Sequence, residues 1–527
     1  MQITGKNYIG NTPSALGTAT FNALNPATQE ALPGQFYLLT EDEAAAITKK
    51  AAAAFKIYNQ KSAEEKAVFL DAIADEIMAL GDELLRRAAA ESGLPLARLT
   101  GERGRTIGQL KMFAALLREG AWVDARIDTA IPDRQPLPKP DLRSMLIPLG
   151  AVMVFGASNF PFAYSAAGGD TASALAAGCP VILKAHPLHP GTDELVAQAI
   201  ISAAKKTNMP DGVFSLVFTD EAMAIRLVKD DAVKAIGFTG SRKGGMAIFN
   251  AAVNREEPIP VYAEMSAVNP VILMPGAVAA NASGIAQGYA TSVTMGVGQF
   301  CTNPGLVFMV DDDNTKLFLR SLADSVEKIA PATMLSKSIC TAYGAGVEKL
   351  KTIATLSAES ALPADDNKTE AVPHIFTVAQ KDFMLNKNLS HEVFGPASLI
   401  VLCKTVDEIC EALKDLEGQL TATIHANAAD EKYLSPVIAL MKAKAGRILF
   451  GGFPTGVEVC DAMVHGGPFP ATTDARSTSV GSAAILRFVR PVAYQNFPQH
   501  LLPDALKDNN PLNILRIVNG QKSKAAV

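Results

Sequence analysis

The sequence predicts a multidomain α/β protein built on a doubly wound parallel sheet, and three observations carry that expectation. The chain has 527 residues, which at roughly 100–200 residues per domain means about three domains or subdomains. Apolar residues make up 48% and charged residues only 19%, below the ~25% of ordinary soluble domains, so large cores can be filled. From residue 151 onward, short apolar runs alternate with helical patterns at strand–helix spacing.

The first third reads as helical. Thr40 and Glu43 have capping-box spacing ahead of an Ala-rich run to Tyr58. A second helix is expected from 63 to about 87, with Val68, Phe69, Ala72, Ile73 and Ile77 at helical spacing. A third covers about 102–117. Residues 120–143 read as two short strands around a turn rich in proline (Pro132, Pro136, Pro138, Pro140).

Alternation then places strands at 151–155, 180–184, 213–217 and 235–238, with helices at 165–177, 192–206, 222–229 and 243–254. Strands this uniformly apolar are buried on both faces, as in a parallel sheet covered by helices. A second α/β region runs from about 270 to 448, with strands at 271–274, 307–310, 398–402 and 447–450. After Gly451 come a loop-rich stretch and a strand over 484–494.

The shortage of charge is concentrated. Residues 145–169 and 265–310 contain no Asp, Glu, Lys or Arg. Pro, Gly and Asn interrupt both windows, so neither offers the ~20 consecutive apolar residues of a membrane span. Residues 1–14 carry no apolar run behind a basic stretch, so a cytoplasmic protein without a signal peptide is expected. Net charge is −5, which gives no footprint for nucleic acid. Six cysteines without metal-ligand spacing predict neither a disulfide framework nor a metal site.

A parallel sheet binds ligands beyond the C-terminal ends of its strands. Gly156-Ala157-Ser158-Asn159-Phe160-Pro161 follows the 151–155 strand, and Lys184-Ala185-His186-Pro187 ends the next. Gly240-Ser241 and Gly245 flank a helix start, whose free N–H groups suit a phosphate, although a glycine there also serves as a plain turn. Glu264 sits at the edge of the second neutral window, and Gly298-Gln299-Phe300-Cys301 lies inside it. A carboxylate and a thiol in a neutral region suit a general base and a nucleophile. The pattern alone favours a buried structural cysteine and an ordinary surface glutamate over that reading.

Asn159 in Ser-Asn-Phe-Pro, Lys184 after an apolar strand, Phe-Thr-Gly-Ser at 238–241, Glu264, Gly-Gln-Phe-Cys at 298–301 and Glu-Val-Phe-Gly-Pro at 392–396 occur in that order. Together they resemble the aldehyde dehydrogenase superfamily over essentially the whole chain. The 2,5-dioxopentanoate (α-ketoglutarate semialdehyde) branch is the most similar. Ala-Glu-Met-Ser at 263–266, Lys-Ala-His-Pro at 184–187 and the run from His465 to Gly481 carry that closer match.

The resemblance implies an aldehyde-dehydrogenase-like α/β fold. A Rossmann-type cofactor domain is expected at 1–119 and 144–264, a catalytic domain at 265–465, and a small β oligomerisation arm at 120–143 and 482–505. It implies oxidation of an aldehyde, here 2,5-dioxopentanoate, by a homodimer or homotetramer. A broad-specificity or long-chain aldehyde dehydrogenase is the alternative, and an inactive structural homologue the non-enzymatic one.

It makes Cys301 the nucleophile, Glu264 the base for water, and the Asn159 amide with the Cys301 N–H the oxyanion site. Lys184, His186, Gly240, Ser241, Gly245, Glu392 and Phe394 become cofactor-binding candidates. Pro187 stands where NAD-preferring relatives carry a glutamate, so NADP is the expected cofactor, with NAD second. His465 is expected to approach the nucleophile. Arg103, Arg105 and Arg476 are candidates for a substrate carboxylate, and Phe160, Phe162 and Phe469 for an apolar tunnel.

Overall fold

The computed structural model describes residues 1–365 and 367–527. Two seven-stranded sheets and one five-stranded sheet organise them. In the first sheet, Val261–Glu264, Val233–Thr239, Ala151–Phe155, Val181–Lys184 and Phe214–Val217 lie side by side and parallel. An N-terminal hairpin (Asn7–Ile9, Thr12–Ser14) pairs antiparallel to its outer edge. The chain leaves the central Ala151–Phe155 strand in one direction and returns on its other side as Val233–Thr239. The loops after these two strands therefore diverge and open a crevice at the switch point. Asn159 follows one strand and Gly240 the other.

The second sheet places Val271–Leu273 between Leu306–Val310 and Gln419–His425. Its strands are parallel except for the edge strand Thr355–Glu359. Cys301 lies just before Leu306, at the N-terminal edge of this sheet, facing the C-terminal edge of the first. The five-stranded sheet joins Arg126–Asp128 and Leu142–Pro148 to Val489–Gln495, and it extends past 505 through Arg516–Val518 and Gln521–Ser523.

Local chemistry explains where the chain departs from the sequence expectation. Residues 1–37 are strands and loops, not helix. The expected 63–87 helix is two, Ala63–Ala79 and Gly81–Ser92, because Gly81 takes a positive φ of 59°. The expected 102–117 helix runs from Leu96 to Glu119. Gly101, Gly104 and Gly108 weaken its helical signal, yet none has a neighbour where a Cβ would sit.

The 165–177 helix starts only at Gly169, since Glu102 and Asp193 hold the preceding turn. Residues 482–488 form a 3₁₀ turn, and the last expected strand begins at Val489, where pairing to Pro148 starts. The second neutral window holds an unexpected helix, Pro275–Thr294, with Ser, Thr, Asn and Gln as its polar side chains in place of charge. Among the described residues, no helix is long and apolar enough to cross a membrane.

Candidate active site

Cys301 stands in a wall shared by two cavities. One, of about 370 Å³, is lined by Asn159, Gly240, Ser241, Glu264, Ser266, Glu392 and Phe394. The other, of about 220 Å³, is lined by Arg98, Arg105, Phe160, Tyr164, Phe300 and Thr302. Cys301 is half-buried. A group bound in either cavity reaches the sulfur from its own side.

The segment carrying Cys301 is held by backbone that only particular residues allow. Gly296, Val297 and Gly298 all have positive φ, at 57°, 59° and 65°. A Cβ on Gly298 would fall 2.2 Å from the Gly395 carbonyl oxygen, so glycine is required there. Val297 is β-branched and strained in this region by about 1–3 kcal/mol. The surroundings hold that strain. Gln299 accepts from Leu335 N–H at 3.0 Å, and Asn269 Nδ2 donates to the carbonyls of Cys301 (2.8 Å) and Asn303 (3.0 Å).

Asn269 is fully buried, and its own carbonyl oxygen accepts from the N–H and hydroxyl of Thr421. It is a positioning residue that the sequence reading missed. Its one signal was Asn-Pro near the start of the neutral window.

Glu264 ends the Val261–Glu264 strand. Its neighbour Met265 donates to Ala471 O (2.8 Å), which fastens the strand end to the C-terminal loops. Glu264 Oε1 lies 2.9 Å from His465 Nε2, and Oε2 accepts from Ser479 Oγ at 2.9 Å. His465 Nε2 is also 3.5 Å from Cys301 Sγ. Carboxylate, imidazole and thiol are thus mutually within 4.8 Å.

A 2.9 Å contact with an ionised carboxylate requires the proton on His465 Nε2. Burial raises the Glu264 carboxyl, but the charge and hydrogen bond of His465, then the Ser479 and Cys301 bonds, outweigh it and leave it below the usual range. The Cys301 thiol moves the other way. Burial and the Glu264 charge push it well above 9.0, and Arg105 offsets only part of that. The resting site therefore holds an ionised Glu264 beside a neutral thiol.

Asn159 Nδ2 donates to Gln299 O at 3.0 Å, and Asn159 lines the 370 Å³ cavity together with Cys301. Gly240 N–H donates to Glu264 O at 3.0 Å, and Ser241 caps the following helix through Gly244 N–H. Gly245 does not line the cavity. A Cβ there would meet Met265 Sδ at 2.7 Å, so the glycine serves close helix–strand packing.

Glu392 faces Ser266 and the Ala267 N–H, and burial lifts its carboxyl to about 7. Lys184 and His186 sit at the end of the Val181–Lys184 strand, outside the residues lining the 370 Å³ cavity. Burial lowers the Lys184 amine, with Asp193 and Glu221 opposing. His186 is held well below its ordinary value by burial and by the charges of His189 and Lys184, so its ring is neutral. It is not a free loop histidine. Its ring stacks on His189 with centroids 5.3 Å apart, and the His186 backbone N–H donates to Asp193 at 2.9 Å.

Of the expected carboxylate ligands, Arg103 donates to Gly81 O on the far side of its helix, and Arg476 is exposed and paired with Asp474. Arg105 does line the 220 Å³ cavity, and Arg98, which the sequence reading missed, lines it too. Phe160 is there, but Phe162 is buried in the main core and Phe469 is exposed against Arg242. Phe300 takes their place.

The model of the aldehyde dehydrogenase family matches residues 14–435. Alpha-ketoglutaric semialdehyde dehydrogenase 2 of Azospirillum brasilense is 50% identical over 523 residues, covering 99% of this chain and 100% of its own. Alpha-ketoglutaric semialdehyde dehydrogenase of Acinetobacter baylyi is 47% identical over 517 residues, 98% of each chain.

Solved structures share the fold at lower identity. The 1-pyrroline-5-carboxylate dehydrogenase from Thermus with bound NAD has a TM-score of 0.79 at 20% identity, over 93% of this chain and 92% of that one. Betaine aldehyde dehydrogenase of Staphylococcus aureus has a TM-score of 0.80 at 19% identity, over 94% and 98%. This chain is a member of the aldehyde dehydrogenase family, a group of NAD(P)-dependent enzymes.

Proposed function

We propose that the enzyme oxidises 2,5-dioxopentanoate to 2-oxoglutarate through a thioester on Cys301. The observation that carries this reading is the position of Cys301 between two cavities, with Glu264 and His465 in contact at its side. The substrate follows from the two relatives of about half-identical sequence, both named for that aldehyde.

Cys301 gives its proton to Glu264, to which it is hydrogen-bonded, as the sulfur attacks the aldehyde carbon, and Glu264 sheds it to solvent before it acts on water. The Asn159 amide and the Cys301 N–H stabilise the oxyanion that forms, which in preorganised sites is usually the largest catalytic contribution. A nicotinamide dinucleotide, when bound, supplies the acceptor for the electron pair and hydrogen lost from that carbon. The resulting thioester is hydrolysed by water whose proton goes to Glu264, with His465 and Ser479 holding the carboxylate in line.

The 370 Å³ cavity suits the nicotinamide and phosphate end of that cofactor. It lies at the switch point of the first sheet, holds the N-terminus of the Arg242–Val253 helix, and has Glu392 and Phe394 on its far wall. NADP is the proposed preference because Pro187, an exposed residue, carries no carboxylate against a 2′-phosphate. The neutral His186 adds no cation, so Lys184 is left to face that phosphate, and the exposed Glu221 is screened by solvent. In the proposed division of labour, the first sheet holds the cofactor, the second carries the nucleophile, and the five-stranded sheet joins subunits.

The test is a matrix of 2,5-dioxopentanoate, glutaraldehyde and decanal against NAD and NADP on pure enzyme. 2,5-Dioxopentanoate with NADP gives the highest kcat/KM. A decanal preference overturns the substrate, and full activity in Cys301→Ala overturns the mechanism.

A further inference from the structure

One helix face supplies the charged wall of the substrate-side cavity. Arg98, Glu102 and Arg105 of the Leu96–Glu119 helix are spaced four and three residues apart, so they point the same way, and all three line the 220 Å³ space with Cys301. Aromatic rings fix both guanidinium planes. The Arg98 guanidinium carbon lies 4.6 Å from the Phe300 ring centre and 5.1 Å from that of Phe160. The Arg105 carbon lies 5.3 Å from Tyr164 and 5.8 Å from Phe160.

Neither guanidinium is neutralised. Among the described residues, no carboxylate oxygen lies within 4.0 Å of either, unlike Arg118, Arg226 and Arg476. Arg98 donates to Asn159 O at 2.7 Å and Arg105 to Tyr164 Oη at 3.4 Å. Arg98 Nη1 and Arg105 Nε are buried without any partner. Glu102 does not cancel the pair. Its Oε1 is spent on the N–H groups of Phe162 and Ala163, at 2.8 and 3.0 Å. Two cations thus face one carboxylate at most, in a desolvated pocket rimmed by aromatic rings. Such a site favours an anion with a flat pair of oxygens.

We propose that Arg98 and Arg105 form the receptor for the substrate's carboxylate, binding the 2-oxo-acid end while the aldehyde end meets Cys301. This rests on the reading of the chain as a semialdehyde dehydrogenase and names the residues that exclude uncharged aldehydes.

The test compares 2,5-dioxopentanoate with pentanal, a chain of the same length without the carboxylate, in wild type, Arg105→Met and Arg98→Lys, with thermal melting as a folding control. Arg105 also acts on the Cys301 thiol, but that effect is common to both aldehydes and cancels in their ratio. In Arg105→Met the ratio of kcat/KM values falls at least about 30-fold, mainly through KM for the acid. Arg98→Lys keeps the charge, loses the planar fork and falls less. An unchanged ratio, with both substrates declining together, overturns the proposal.

A second readout separates the two readings. Glutarate should slow alkylation of Cys301 by iodoacetamide in wild type and lose that protection in Arg105→Met. If wild type prefers pentanal yet this protection pattern holds, the substrate reading fails and the anion site stands. Glutarate protection that is absent in wild type, or equal in the variant, overturns the site.

Discussion

His465 Nε2 lies 2.9 Å from Glu264 Oε1, and the two side chains are 0% and 4% exposed. A buried carboxylate needs such a partner, since an uncompensated charge in a desolvated site neutralises itself. The histidine thereby keeps the carboxylate ionised beside Cys301, whose thiol is itself hydrogen-bonded to Glu264.

His465→Ala leaves Glu264 with only its Ser479 and Cys301 bonds in a dry site. The carboxyl rises, and hydrolysis of the thioester slows more than its formation. Steady-state kcat falls about 100-fold, within the range of general acid–base contributions. Stopped-flow absorbance should show a burst of reduced cofactor absent or smaller in wild type. A slow progress curve without a burst would place the histidine in the acylation step.

Ser479→Ala removes the hydroxyl that holds Glu264 Oε2. That bond lowers the carboxyl, so its loss raises it. The acid limb of the kcat profile moves to higher pH, by up to about one unit. A limb that stays fixed, or moves to lower pH, contradicts the assignment of that limb to Glu264.

Glu392 titrates near 7 because burial favours its protonated form. A cationic nicotinamide and ribose hydroxyls favour the carboxylate, so cofactor binding at pH 7 releases up to about half a proton. Calorimetry in buffers of different ionisation enthalpy measures that release directly. Glu392→Gln abolishes it, and buffer-independent heats in wild type refute it.

Asn269→Ala leaves the carbonyls of Cys301 and Asn303 without their buried donor. Stability drops by about 1–3 kcal/mol. Activity drops further than the fraction unfolded explains, because the strained 296–298 turn is no longer held. Urea melts alongside kcat for the folded fraction separate the two effects, and a stable variant with full kcat denies Asn269 its positioning role.

How much of this was legible in sequence depends on the kind of signal. Apolar strands such as 151–155 announce themselves because a strand buried on both faces has no polar residues to blur it. The 40–58 helix was equally clear, through a capping box that the structure contains. The Pro275–Thr294 helix was not, because its exposed face uses small polar residues where a pattern reader looks for charge.

At the site, the chain order of Asn159, Glu264 and Cys301 marked them through resemblance, but nothing local said that they converge. His465 is 201 residues from Glu264, and only tertiary folding brings the pair together. Arg98 stayed hidden because a helical arginine ordinarily faces water. Gly245 looked like a phosphate-loop glycine and is a packing glycine, since sequence shows a turn but not what lies across it.

On the proposed mechanism, substrate carbon becomes covalently joined to Cys301 and Glu264 releases it. The most direct measurement is intact-protein mass spectrometry of Glu264→Gln mixed with 2,5-dioxopentanoate and NADP, followed by peptide mapping. One 2-oxoglutaryl group per chain is expected, mapped to Cys301, with one equivalent of reduced cofactor formed alongside it. Reduced cofactor accumulating over many turnovers with no mass added at Cys301 contradicts it.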